Sequence, residues 1–272
     1  MDGQITAAVG YNGAGKTLCI VDRVIRPSLD AGRPVLSNTP IFAGPDDAHL
    51  PWQQRAPHPL YVPLLSWRQL SSPLHGVTIF LDEISSMFDS RDSGRMPTQI
   101  TSRFNQLRKA DNLVCWTAPD WDRCDKVLRR VTRRLWYCKG YLPQAAVGPD
   151  GEPLVWKSNR LFRWKFYDAQ KFEEFSTSQA DSSRKGTLRS DDARWHRRSR
   201  HQSQFLYDTY AEVNLLDHLD ETGKCVDCGG TRRALKCECP PARNAGVVQE
   251  RWDLDRMQAF AAELLLARTV TS

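Results

Sequence analysis

The segment Val9-Gly10-Tyr11-Asn12-Gly13-Ala14-Gly15-Lys16-Thr17 constrains this 272-residue chain more than any other. It follows the apolar run Ile5 to Val9 and meets the Gly-x4-Gly-Lys-Ser/Thr spacing at Gly10, Gly15, Lys16 and Thr17. Each residue type has a physical task. The glycines let the backbone from Gly10 through Tyr11, Asn12, Gly13 and Ala14 to Gly15 turn its N–H groups inward onto a phosphate. Lys16 reaches the β- and γ-phosphates, and Thr17 offers a hydroxyl to Mg²⁺. The segment from Leu18 to Ile25 reads as a helix whose positive N-terminus faces the phosphates. A strand before the loop and a helix after it separate this pattern from a chance glycine turn. The expected ligands are ATP and Mg²⁺.

A second segment supports this reading. Val77 to Leu81 is a buried apolar strand ending in Asp82-Glu83. Asp82 at the strand tip is expected in the Mg²⁺ shell. Glu83 beside it is placed to polarise a water for in-line attack on the γ-phosphate; its alternative reading is an acid favoured at a helix N-terminus. The acid pair points to hydrolysis rather than transfer to a small molecule. A further strand, Asn112 to Trp116, ends in Thr117. A polar group there can sense the γ-phosphate, or it can simply close the strand before Pro119.

Strands alternating with helices over the first half predict a parallel sheet covered on both faces, with the ligand at its C-terminal edge. A strand is expected near 34–38, another within Pro59 to Leu65, and helices over 97–110 and 120–131. After residue 133 the texture changes. "RRLWYCKGYL" and "EPLVWKSNRLFRWKFYD" alternate as antiparallel strands do, with Gly148-Pro149-Asp150-Gly151 as the turn. The expected organisation is an ATPase domain over 1–172 that includes this late hairpin, then a flexible basic segment over 173–204. A return segment of the ATPase domain follows at 205–222, a zinc module at 223–242 and an amphipathic C-terminal helix at 243–272.

The net charge of +6 points to a polyanionic partner. No apolar run reaches the ~18 residues of a membrane span, and the N-terminus reads as a strand rather than a secretory signal, so a cytoplasmic protein is expected. In that compartment closely spaced cysteines bind metal more often than they form disulfides. Cys225, Cys228, Cys237 and Cys239 form two thiol pairs that could close a tetrahedral, structural Zn²⁺ site. Cys19, Cys115, Cys124 and Cys138 read as ordinary buried thiols.

These motifs together resemble the N-terminal ATPase domain of the zonular occludens toxin (Zot) family, which includes assembly ATPases of filamentous phages. The resemblance is carried by "GYNGAGKT" at 10–17, "GRPVLSNTPI" at 32–41, "IFLDEISSMFDSR" at 79–91 and "RKADNLVCWTAPDWDRCDKVLRR" at 108–130, with "FLYDTYAEV" at 205–213. It implies an α/β fold, a RecA-like, additional-strand P-loop NTPase with a parallel central sheet, here joined to a small C-terminal zinc-binding module. It further implies ATP hydrolysis coupled to packaging, export or assembly of a phage or mobile-element DNA. The implied partners are DNA, other copies of the chain in a homo-oligomer such as a hexameric ring, and a capsid or membrane-assembly protein at the inner membrane or virion. Lys16, Thr17, Asp82 and Glu83 match the family's hydrolytic set. Arg91, Arg108, Arg129 and Arg130 lie in its basic stretches, where one arginine can act across a subunit boundary; Arg108 joins the catalytic candidates. Two departures stand out. The family's membrane span is replaced here by the cysteine cluster, and "WTAP" stands where related motors carry a glutamine after the threonine. The alternative reading is a nucleic-acid-binding scaffold that uses ATP only as a conformational ligand.

Overall fold

The computed structural model describes residues 5–50, 54–64, 69–70, 74–84, 104, 106, 111–147, 153–180 and 188–207. One eight-stranded sheet organises them. In chain order its strands are β1 (Ile5–Val9), β2 (Val35–Ser37), β3 (Tyr61–Pro63), β4 (Thr78–Leu81), β5 (Leu113–Ala118), β6 (Arg134–Val147), β7 (Pro153–Asp168) and β8 (Asp192–Arg197). Their spatial order is β3-β2-β4-β5-β1-β6-β7-β8. The first six run parallel, and β6, β7 and β8 pair antiparallel. The fold is therefore a mixed α/β sheet with mostly parallel strands, and β5 lies between the loop-bearing strand β1 and the acid-bearing strand β4.

The strand sequences explain this arrangement. Every residue of β1, β4 and β5 is buried, as continuous apolar strands covered on both faces must be. One core face gathers Val9, Ile79, Leu81, Trp116 and Leu135. The other gathers Leu18, Ile20, Val21, Ile25, Phe80 and Trp164. The helix after the glycine loop starts as α1 (Lys16–Ile20), widens into a π-turn (Val21–Ile25) and continues as α2 (Arg26–Asp30). Pro27 has no N–H to offer the carbonyl one turn earlier, which accounts for the widening just before it.

Several expectations change in detail. The helix expected over 120–131 is shorter, α3 (Lys126–Val131), because Asp125 caps it by accepting a hydrogen bond from the Val127 N–H at 2.7 Å. The long hairpin is present, with Arg134 paired to Asp168 and Tyr141 to Leu161, and it extends the central sheet. Residues 173–204, expected as a flexible basic segment, instead contain most of helix α4 (Ala169–Ala180), strand β8 and two 3₁₀ turns, Arg198–Arg200 and Gln202–Phe205. The sequence of β8 is polar because His196 is its one buried residue: its ring packs on Trp164 at 3.8 Å, while Trp195 and Arg197 on either side are exposed. The chain touches the sheet's first half again at Leu206, whose carbonyl accepts from the Phe42 N–H at 2.8 Å, and the rest of the expected return segment, 208–222, lies outside the described residues. The 97–110 helix apart from Phe104 and Gln106, the 148–151 turn, the zinc module and the C-terminal helix lie outside the described residues.

Candidate nucleotide-hydrolysis site

The C-terminal ends of β1, β2, β4 and β5 meet at one edge of the sheet, and the polar residues converge there. The loop after β1 depends on its glycines. Gly10 has φ 152°, and a Cβ there would stand 2.2 Å from the Cys138 carbonyl oxygen; Gly15 has φ 80°, and its Cβ would meet the Phe162 ring at 2.8 Å. Both positions combine a backbone that side chains resist with a neighbour that leaves no room. Gly13, at φ 76°, lets the loop turn, and its carbonyl accepts from Asn159 Nδ2 at 2.9 Å. Strands β6 and β7 thus press against the loop from behind. Tyr11 and Asn12 are exposed, whereas Ala14 is buried. The Leu18 side chain belongs to the core, leaving only its backbone for a ligand.

Lys16 is buried, with Nζ 3.5 Å from Asn12 Oδ1 and 3.8 Å from Glu83 Oε2. Its ammonium thus stands between the loop and the acid pair. Thr17 Oγ donates to both Asp82 carboxylate oxygens, at 3.2 and 3.0 Å. Thr39 Oγ donates to the same carboxylate at 3.3 Å, and the Thr117 hydroxyl also donates to it. Asn38 fixes the backbone beneath: its Oδ1 accepts from the Asp82 N–H at 2.8 Å and its Nδ2 donates to the Asp82 carbonyl at 3.1 Å. Burial raises the Asp82 pKa, opposed by the hydroxyls of Thr117 and Thr17, by the Lys16 charge and by Thr39. A half-buried carboxylate held by hydroxyls beside a lysine is a hard oxygen donor set, which fits Mg²⁺.

Glu83 leaves the strand with φ 50°, a left-handed conformation that costs a non-glycine residue ~1–2 kcal/mol. Its N–H donates to Thr117 Oγ at 2.9 Å. Thr117 is fully buried, and its hydroxyl joins the two acids by donating to one and accepting from the backbone of the other. The strained turn carries the Glu83 side chain toward Lys16, and about a third of that side chain is exposed.

The structure thus brings Lys16, Thr17, Asp82, Glu83 and Thr117 together. Arg108 and Arg91 lie outside the described residues, as do Cys225, Cys228, Cys237 and Cys239. Among the described residues no His/Cys/Asp/Glu group is arranged to hold a metal of its own. Arg129 is engaged within its own chain, 2.6 Å from the Glu173 carboxylate and 3.7 Å from Asp122, while Arg130 is exposed. Cys19, Cys115, Cys124 and Cys138 are buried free thiols, as expected. The sequence reading gave no role to Thr39 and did not find Asn159. Ser37-Asn38-Thr39, a polar run directly after apolar Val35-Leu36, was a usable signal for a strand tip lining the site. Asn159 had none, because it reaches Gly13 across 146 positions.

No family model and no curated protein matches the sequence. Solved structures that match include the genome packaging NTPase B204 of Sulfolobus turreted icosahedral virus 2 in complex with AMP. It is 11% identical, with a TM-score of 0.40, over 63% of this chain and 95% of that one. The N-terminal domain of zonular occludens toxin from Neisseria meningitidis is 15% identical, with a TM-score of 0.42, over 76% of this chain and all of that one. The FIGL-1 AAA domain in complex with ADP is 17% identical, with a TM-score of 0.32, over 55% of this chain and 45% of that one. Among the described residues no helix is long and apolar enough to cross a membrane.

Proposed function

We propose that this chain is a Mg²⁺-dependent ATPase of the RecA-like, additional-strand class that works on phage or mobile-element DNA in packaging, export or virion assembly. The observation that carries the hydrolytic part is the contact of Thr17 Oγ with the Asp82 carboxylate, at 3.0 Å between residues 65 positions apart. A glycine loop alone is a phosphate cradle; joined to this carboxylate and to Glu83, it becomes a site with a place for a cation and a base.

The loop N–H groups and Lys16 would hold the triphosphate, and Thr17 and Asp82 would hold Mg²⁺. When bound, the cation neutralises charge developing on the phosphate oxygens. Glu83 orients the attacking water and takes up its proton at a carboxylate oxygen. Thr117 keeps Asp82 and Glu83 in fixed register. Thr39 and Asn38 hold Asp82 from the β2 side, so the strand between β3 and β4 also belongs to the site. DNA as the polymer rests on the family resemblance and the basic charge of the chain; action as a ring rests on the resemblance alone.

Lys16→Ala separates the loop's role from chance. We expect the variant to lose nucleotide-dependent thermal stabilisation while keeping the wild-type melting temperature without nucleotide. Equal stabilisation of both proteins by ATP would remove Lys16 from the site.

A further inference from the structure

The antiparallel end of the sheet carries a surface that the nucleotide site does not use. The ladders set Lys139 beside Arg163 and Arg163 beside Trp195, while Tyr141, Leu161 and Arg197 form the next row. Alternate residues of a strand share a face, so these two rows lie on the face that Tyr137 and Tyr167 occupy nearer the core. There Phe172 of α4 covers the face, with its ring 6.2 Å from Tyr137 and 5.4 Å from Tyr167. Past Tyr137 the composition turns basic and aromatic. Lys139 and Arg197 are exposed, and Trp195 is 54% exposed. The opposite face of the same strands, with Phe162, Trp164 and His196, is buried.

The exposed side chains are organised. The Tyr141 and Trp195 rings lie 5.0 Å apart, Lys139 Nζ is 5.6 Å from the Tyr141 ring, and the Arg163 guanidinium is 5.4 Å from the Trp195 ring. Arg163 Nε is buried with no hydrogen-bond partner among the described residues. From Tyr137 to Tyr141 and across their ladder partners, this face holds the cations Lys139, Arg163, Lys165 and Arg197 and no carboxylate. Four cations call for an anionic partner. Two aromatic rings held among them call for flat apolar groups between its charges. A nucleic acid strand supplies both, with bases for stacking and phosphates for the cations. A duplex keeps its base faces inside its own stack and leaves the rings without a partner.

We propose that this β6–β7–β8 face binds single-stranded nucleic acid, with bases on Trp195 and Tyr141 and phosphates on Lys139, Arg163 and Arg197. The inference rests on the DNA-directed reading for its place in the function, yet the binding can be measured without nucleotide. The test is anisotropy of a fluorescent oligothymidylate, against a duplex of equal length, with the full chain and a salt titration. The single strand should bind more tightly than the duplex. Trp195→Ala should weaken it by about ten-fold or more, and Trp195→Phe should restore most of the loss. Lys139→Gln should reduce the salt slope by about 0.7. No binding of the single strand, a preference for the duplex, or unchanged affinity in Trp195→Ala would each overturn the proposal. Strand binding through Trp195 without ATP turnover would keep it and defeat the hydrolytic reading. Polymer-stimulated turnover that is unchanged in Trp195→Ala would do the reverse.

Discussion

Asp82 shows how one residue can serve chemistry at the expense of stability. Its carboxylate receives hydroxyls from Thr17, Thr39 and Thr117, yet burial still raises its pKa. The sign follows from linkage. A carboxyl with a higher pKa in the folded state favours folding below the ordinary carboxylate range, and that contribution is lost as pH rises through the folded value. At neutral pH the charge therefore costs stability until a cation arrives. Asp82→Asn should raise the stability of the nucleotide-free protein by about 1 kcal/mol and abolish the extra stabilisation that Mg²⁺ adds to ATP. Calorimetry with and without the metal checks both effects. The role of Asp82 was legible in the sequence because an apolar strand ending in two acids is a local pattern. The contacts of its three hydroxyl partners were not, because Thr17, Thr39 and Thr117 come from positions 65, 43 and 35 residues away.

At the scale of elements, strand β8 and the turns after it are held by a polar cluster against the helix that follows the glycine loop. Asp22 Oδ1 accepts from Ser203 Oγ at 2.8 Å and lies 3.2 Å from His201 Nδ1; His201 Nε2 is 3.0 Å from His196 Nδ1, and Arg23 is 3.4 Å from His196 Nε2. His196 also stacks on Trp164. Burial, then His201, Arg23 and Arg194, hold the His196 pKa down to about 4, with Asp22 opposing. Between pH 6.5 and 4 the unfolded chain therefore binds more protons than the folded one. The contribution is fully present above pH 6.5 and is lost as pH falls through 4. Stability measured across this window should decline toward acid with up to one extra proton in its slope, and His196→Gln should flatten that slope. Identical slopes in both proteins would place the acid sensitivity elsewhere. The sequence hid this element: Ser, Arg and Asp dominate 184–200, and a strand that buries only His196 has too little apolar alternation to register. The hairpin before it was legible because its alternating aromatic residues mark two long strands.

For the whole molecule, the parallel half of the sheet gathers the nucleotide residues, and the antiparallel half braces the loop through Phe162 and Asn159. One sheet therefore links the edge that carries the glycine loop to the basic, aromatic ribbon, and in the proposed function that continuity gives a polymer on the ribbon a mechanical route to the loop. The opening strand, loop and helix were readable, as were the strands near 34–38, 61–63, 78–81 and 113–116. The placement of β5 between β1 and β4 was not readable, since strand order is set by long-range packing that no local pattern records. The measurement that tests the account most directly is ATP turnover with Mg²⁺, in the presence and absence of single-stranded DNA, for the wild type and Glu83→Gln. The wild type should show DNA-stimulated turnover and the variant a rate lower by roughly 10²–10⁴-fold, with nucleotide still bound. Full turnover in Glu83→Gln, or tight ATP binding with no turnover in the wild type under either condition, would contradict it.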